Sequence, residues 1–279
     1  MNVTRHYFGC LLILLALPLA ALAETHSITL GVFPNLPAQK IVTLYQPLAV
    51  YLTKQTGVPV RLASAKDFRE FYQATRTQQF DFIVTGPNLA WLAMTEANYQ
   101  PMARYSNPVA GVLLSKRNAK IETPLDCRNK KIAFTDPLSI VYQLGVVYLQ
   151  SEGLQAGPDY QPIVLSNHTN AALAIVVGKA DCAIVGNLPY SQMTDEIQHT
   201  LHIIGQTKGI ASQFFMSAPK LDKAISSRIR TALLNYSQTP EGISFAAKQL
   251  HGPIVAANIQ DLAPTKPYAL ITKTLLDKP

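Results

Sequence analysis

Apolar and polar positions along this chain alternate between strand and helix periods. "HSITLGVFP" is a β-rich apolar run stopped by Pro34. Residues 40–56 carry Ile41, Leu44, Tyr45, Leu48 and Leu52 at helical spacing, and Pro47 either starts the main helix or kinks it. "GVPVRLAS" reads as a second short strand and Asp67 as the N-cap of a helix over "FREFYQATRTQ". "FDFIVT" is a third, buried strand, which Gly86-Pro87-Asn88 breaks to open another helix. Strand and helix in strict alternation predict a parallel sheet covered on both faces.

The second half repeats this order. "KKIAFTDP" is a strand ended by Asp136-Pro137, residues 138–151 are helical, and "GLQAGPDY" is a turn-rich loop. "QPIVLS" is a strand, "TNAALAIVVGK" a helix ended by Gly178, and "DCAIV" a strand after which Gly186-Asn187 opens "LPYSQMTDEI". Asp81 and Asp181 stand 100 positions apart, each followed by a short apolar run and then a Gly. Two α/β units of similar design follow from this. In each, the Gly marks the carboxyl end of a central strand, where ligands of open parallel sheets bind. Taken singly, either Gly need only permit a tight strand-to-helix turn; the pair points to a shared cleft.

"QPMARYSNPVAGVLLSKR" carries the first crossing between the units and "LHIIGQTKGIASQFFMS" the return. Leu221, Ile225, Ile229 and Leu233 then lie on one helical stripe, and a further helix is expected near 240–250. Both should pack back on the first unit. Two neighbouring connections suit a hinge that closes around a ligand.

The start of the chain departs from this pattern. Arg5 stands in a short polar head, and an apolar run from Tyr7 to Ala23 ends in Ala21-Leu22-Ala23. This is the layout of a secretory signal cleaved after Ala23. The run is shorter than the ~20 residues a membrane span needs, and no basic cluster follows it. Cys10 lies near the start of the apolar run rather than at its end, which argues against a lipid anchor. The expected organisation is a signal peptide over 1–23, a first lobe over 24–107 and 208–279, and a second lobe over 108–207.

Composition narrows the function. The chain has 24 Lys and Arg against 17 Asp and Glu; without Arg5 the balance is 23 to 17, a net +6. That excess favours anionic partners. The basic residues are scattered and "RNKK" has no interleaved aromatics, so nucleic acid is not expected. Cys127 and Cys182 remain after the signal, as one disulfide or as two buried thiols. His199 and His202 have no third ligand nearby for a metal, and neither a phosphate-loop motif nor any cofactor motif is present. Ser139 and His168 raise the question of a hydrolase, but there is no G-x-S-x-G elbow and no positioned acid.

"YQPLAVYLTKQTGVPVRL", "FDFIVTGPNLAWLA", "KKIAFTDPLS" and "SNHTNAALAIVVGKADCAIV" together resemble the periplasmic binding proteins of phosphate, phosphite and phosphonate ABC transporters, in the same order over residues 27–250. The resemblance implies a two-lobed type 2 periplasmic binding fold, each lobe a mostly parallel sheet flanked by helices. It implies a monomer that hands a small, anionic solute to an inner-membrane permease. A sensor of the same fold, presenting its ligand to a membrane receptor or kinase, is the competing reading. By the resemblance, the solute site comprises Phe68, Thr85, Gly86, Asn88, Ser139, Tyr142, His168, Asn187 and Tyr190. The chain departs from the family at several of these. A Ser-Thr-Ser-Gly turn is replaced by Ser139-Ile140-Val141-Tyr142, Phe68 and Thr85 stand in place of tyrosines, and Leu188 replaces an acidic contact to the ligand amine. Fewer hydroxyls imply that tight alkylphosphonate binding is lost or much weakened, at ~1.5–3 kcal/mol per charge-assisted bond.

Overall fold

The computed structural model describes residues 27–249 and 251–278. The expected signal peptide lies outside the described residues. The first α/β unit follows the apolar pattern: β1 (Ile28–Val32), α1 (Ala38–Thr56), β2 (Val60–Ala63), α2 (Phe68–Arg76), β3 (Phe82–Thr85) and α3 (Pro87–Ala97). Pro47 lies inside α1, and Asp67 caps α2 by accepting from the Glu70 N–H. β4 (Gln100–Tyr105) closes this stretch, and β5 (Gly111–Lys116) opens the second sheet.

The second unit runs β6 (Lys130–Phe134), α4 (Ile140–Ser151), β7 (Tyr160–Val164), α5 (His168–Val176), β8 (Cys182–Gly186), α6 (Asn187–Ser191), α7 (Asp195–Thr200) and β9 (Leu201–Gln206). The chain returns through β10 (Phe214–Ser217) to α8 (Lys223–Tyr236), α9 (Pro240–Gln249), β11 (Ile254–Ala256), α10 (Ile259–Leu262) and α11 (Lys266–Leu276).

The strands form two sheets, ordered β11-β4-β10-β3-β1-β2 and β7-β6-β8-β5-β9. β1 sits between β2 and β3, and β6 between β7 and β8, all in parallel. Beyond these three-strand cores the pairing is antiparallel, so the sheets are mixed rather than mostly parallel. The reason is the crossing. The strand beside β3 is β10, from the return, and the strand beside β8 is β5, from the outward path. Each crossing strand enters its sheet against the direction of the strands already there.

The repeated aspartates have one job in both halves. Asp81 accepts from the Thr29 N–H at 2.7 Å and returns its own N–H to the Thr29 carbonyl at 3.1 Å. Asp181 does the same with Lys131, at 2.8 and 2.9 Å. Each ties the start of the third strand of its unit to the central one. The crossings also pair with each other: Val109 and Ile210 exchange N–H···O bonds of 2.9 and 3.0 Å.

Both sheets are packed on two faces. Ile41, Tyr45, Leu48 and Leu52 of α1 meet Ile229 and Leu233 of α8 over one face of the first sheet, and α2, α3 and α11 cover the other. Cys127, in a 3₁₀ turn at Pro124–Cys127, is disulfide-bonded to Cys182 at the start of β8, with Cα atoms 6.7 Å apart and both residues fully buried.

Candidate functional site

A cleft of about 810 Å³ is lined by the carboxyl ends of both parallel cores and by both crossings. Several helices begin at it, α3, α4 and α5 among them. Gly86 is the N-cap of α3, Ser139 the N-cap of α4, and His168 the first residue of α5 behind its cap Asn167. None of the three has an acidic residue in its first turn. Their positive dipole ends therefore face the cleft uncompensated.

The start of α4 offers backbone donors to the cleft. Ser139 Oγ accepts from the Tyr142 N–H at 3.2 Å and pairs with Thr135 Oγ1 at 2.9 Å, and the Ser139 carbonyl takes the Gln143 N–H. The N–H groups of Ile140 and Val141, the first two helical positions, lack intrahelical acceptors. His168 completes the arrangement. Burial pushes its imidazole down to about 4, so the ring is neutral at pH 7. Its Nδ1 accepts from the Gly186 N–H at 3.2 Å, which leaves the proton on Nε2 as a donor for a solute. The rest of the wall is largely apolar, with Phe33 and Phe68 edge to face at 6.0 Å and Leu36, Leu44 and Leu138 around them. Among the described residues, the lining's Lys, Arg, Asp and Glu side chains are Lys40, Lys248 and Glu241.

The chain matches, over residues 30–262, the model of the periplasmic substrate-binding proteins of phosphonate ABC transporters. It belongs to that family. Among solved structures, the phosphonate-transporter binding protein from Pseudomonas aeruginosa superposes with TM-score 0.75 at 18% identity, covering 91% of this chain and 90% of that one. PhnD1 from Prochlorococcus marinus, in complex with methylphosphonate, gives TM-score 0.78 at 12% identity, covering 89% and 98%. The aliphatic sulphonate binding protein SsuA from Escherichia coli gives 0.63 at 18% identity, covering 90% and 94%. The fold is thus that of type 2 periplasmic binding proteins. The family is periplasmic, binds small solutes and works with an ABC permease.

In this phosphonate-family binding protein, five of the expected site residues line the cleft: Phe68, Gly86, Asn88, Ser139 and His168. Asn88 is 1% exposed, and its amide donates to the Leu138 carbonyl at 2.9 Å and to Thr272 Oγ1 at 2.8 Å. Both its donors are engaged, so it holds the binding turn in place rather than reaching a solute. The other four stand back from the cleft. Thr85 is fully buried in β3, paired with Phe214 of β10, and its hydroxyl has no partner among the described residues. The Tyr142 ring packs on Phe134, 4.9 Å between centroids, because its place on α4 faces the sheet. Asn187 accepts from the Ala110 N–H and donates to the Pro108 carbonyl, bracing the first crossing. Tyr190 packs partly buried against the α5 face of the second sheet. His168 does not cap α5, since Asn167 does so by accepting from the Asn170 N–H at 2.8 Å.

The lining also holds residues that the sequence reading missed. Gln39, Lys40 and Thr43 form the polar side of α1 near its start. Ser212, Gln213 and His251 cluster by the return crossing. Their one sequence signal is the polar pair Ser212-Gln213 interrupting the apolar run before β10.

Proposed function

We propose that this family member binds a small organic anion in the cleft, charged end at the start of α4 and apolar body against Phe33 and Phe68. The observation that carries this reading is the convergence of three helix N-termini, free of first-turn carboxylates, on a mostly apolar cleft. The N–H groups of Ile140 and Val141 and the Nε2–H of His168 bind the anion. None of these donors has a formal charge, so they favour a compact, weakly hydrated anion over a doubly charged one. The lobes, 24–107 with 208–279 and 108–207, close around it, and the protein delivers it as a monomer after export by the signal over residues 1–23. Ser139 and His168 bond to different neighbours, Thr135 and Tyr142 for one and Gly186 for the other, which supports a binding role over a nucleophile–base pair.

Isothermal calorimetry and thermal shift over ethanesulfonate, methylphosphonate, 2-aminoethylphosphonate, phosphite and phosphate test the proposal. Saturation at 100 times Kd adds about 2.7 kcal/mol of stability. Ethanesulfonate is expected to bind more tightly than phosphate. Sub-micromolar 2-aminoethylphosphonate affinity, or no binding by any of the five, refutes the proposal.

A further inference from the structure

At the return crossing, five polar side chains form an unbroken chain. Tyr105 and Tyr45 pair through their hydroxyls at 3.4 Å, and Tyr45 OH donates to Gln213 Oε1 at 3.3 Å. Gln213 Nε2 lies 3.2 Å from His251 Nε2, and His251 Nδ1 lies 3.1 Å from Ser212 Oγ. Tyr45, Tyr105 and Ser212 are at most 1% exposed and Gln213 is 6% exposed. The His251 ring also stacks on Tyr105, with centroids 5.2 Å apart.

With the Gln213 amide in this orientation, the direction of each bond follows from what each atom can do. Gln213 Oε1 only accepts, so the Tyr45 proton is committed to it, and Tyr45 in turn accepts from Tyr105. Gln213 Nε2 only donates, so His251 Nε2 is the acceptor and bears no proton. Burial pushes His251 down to about 4, so the ring is neutral and its one proton sits on Nδ1. That N–H donates to Ser212 Oγ. The Ser212 hydroxyl proton is then left over, on a residue that lines the cleft.

We infer that Ser212 is a donor to the bound solute and that His251 is the positioning residue that turns its hydroxyl proton toward the cleft. The inference rests on the proposal that the solute is an anion. Ser212 thereby adds a hydroxyl donor from the return crossing to those that the start of α4 offers the anionic group.

Two measurements test it. Nitrogen-15 NMR of the ligand-free protein should show His251 as the Nδ1–H tautomer; the Nε2–H tautomer overturns the relay. Calorimetry with ethanesulfonate should show at least a tenfold loss for Ser212→Ala, in line with a hydrogen bond to a charged group. His251→Asn, which keeps a donor near the Nδ1 position, should retain affinity, whereas His251→Leu should lose it as Ser212→Ala does. Wild-type binding undiminished in Ser212→Ala overturns this inference alone. Absence of wild-type binding to every anion overturns the functional proposal, and the solute contact with it.

Discussion

Gln143 Nε2 and Thr272 Oγ1 lie 2.6 Å apart, although 129 residues separate them. The Thr272 hydroxyl also accepts from Asn88 Nδ2 at 2.8 Å. One fully buried side chain on the C-terminal helix thus joins α3 beside the first sheet to α4 beside the second. Thr272→Val keeps the shape and deprives both amides of an acceptor. It should destabilise the protein by about 1–3 kcal/mol, read as a lower urea midpoint. Thr272→Ser, which keeps the hydroxyl, should recover more than half of that loss.

His168 is held by its Nδ1 and offers its Nε2–H. His168→Ala should weaken ethanesulfonate binding by about tenfold or more, the worth of a hydrogen bond to a charged acceptor. Calorimetry gives the affinity and a thermal melt confirms the fold. Unchanged affinity would show that the ring does not touch the solute.

His168 and His251 are both pushed down to about 4, with burial the cause in each case. In the unfolded chain they titrate near 6.5. Above that, both states hold neutral rings and the histidines add no pH dependence. Between pH 6.5 and 4 the unfolded state takes up protons that the folded state refuses, so stability falls as pH falls. The loss should be on the order of 2–3 kcal/mol per ring by pH 4. Urea midpoints across that range should show it, and replacing either histidine by Gln should flatten the slope.

The Cys127–Cys182 bond closes a loop of 55 residues. Loop-closure entropy for that length puts its removal at about 4 kcal/mol. Both sulfurs sit in the core of the second unit, so Cys127→Ala with Cys182→Ala should also expose that unit first. Hydrogen exchange should report faster opening in residues 130–186 than around β1 and β3.

The paired α/β units and the cleft-facing glycines were legible because their signals are local. An Asp, an apolar run and a Gly occupy one short window in each half, and Asp81 and Asp181 fill matching roles. The side chains of the site were legible only in part. Whether Tyr142 points at a solute or at Phe134 depends on how α4 rolls against its sheet, which no local pattern records. Asn88 looked like a solute donor because its partners, Leu138 and Thr272, lie 50 and 184 residues away. The Ser212–Gln213–His251 cluster was hidden for the same reason: His251 reaches the return crossing from a loop 38 residues downstream of Gln213.

The reciprocal bonds between Val109 and Ile210 bind the two passages of backbone into a single narrow ribbon. Such a ribbon bends across its width and resists shear along its length. A hinge built on it would confine the halves to one rotational coordinate, with capture and release retracing the same arc.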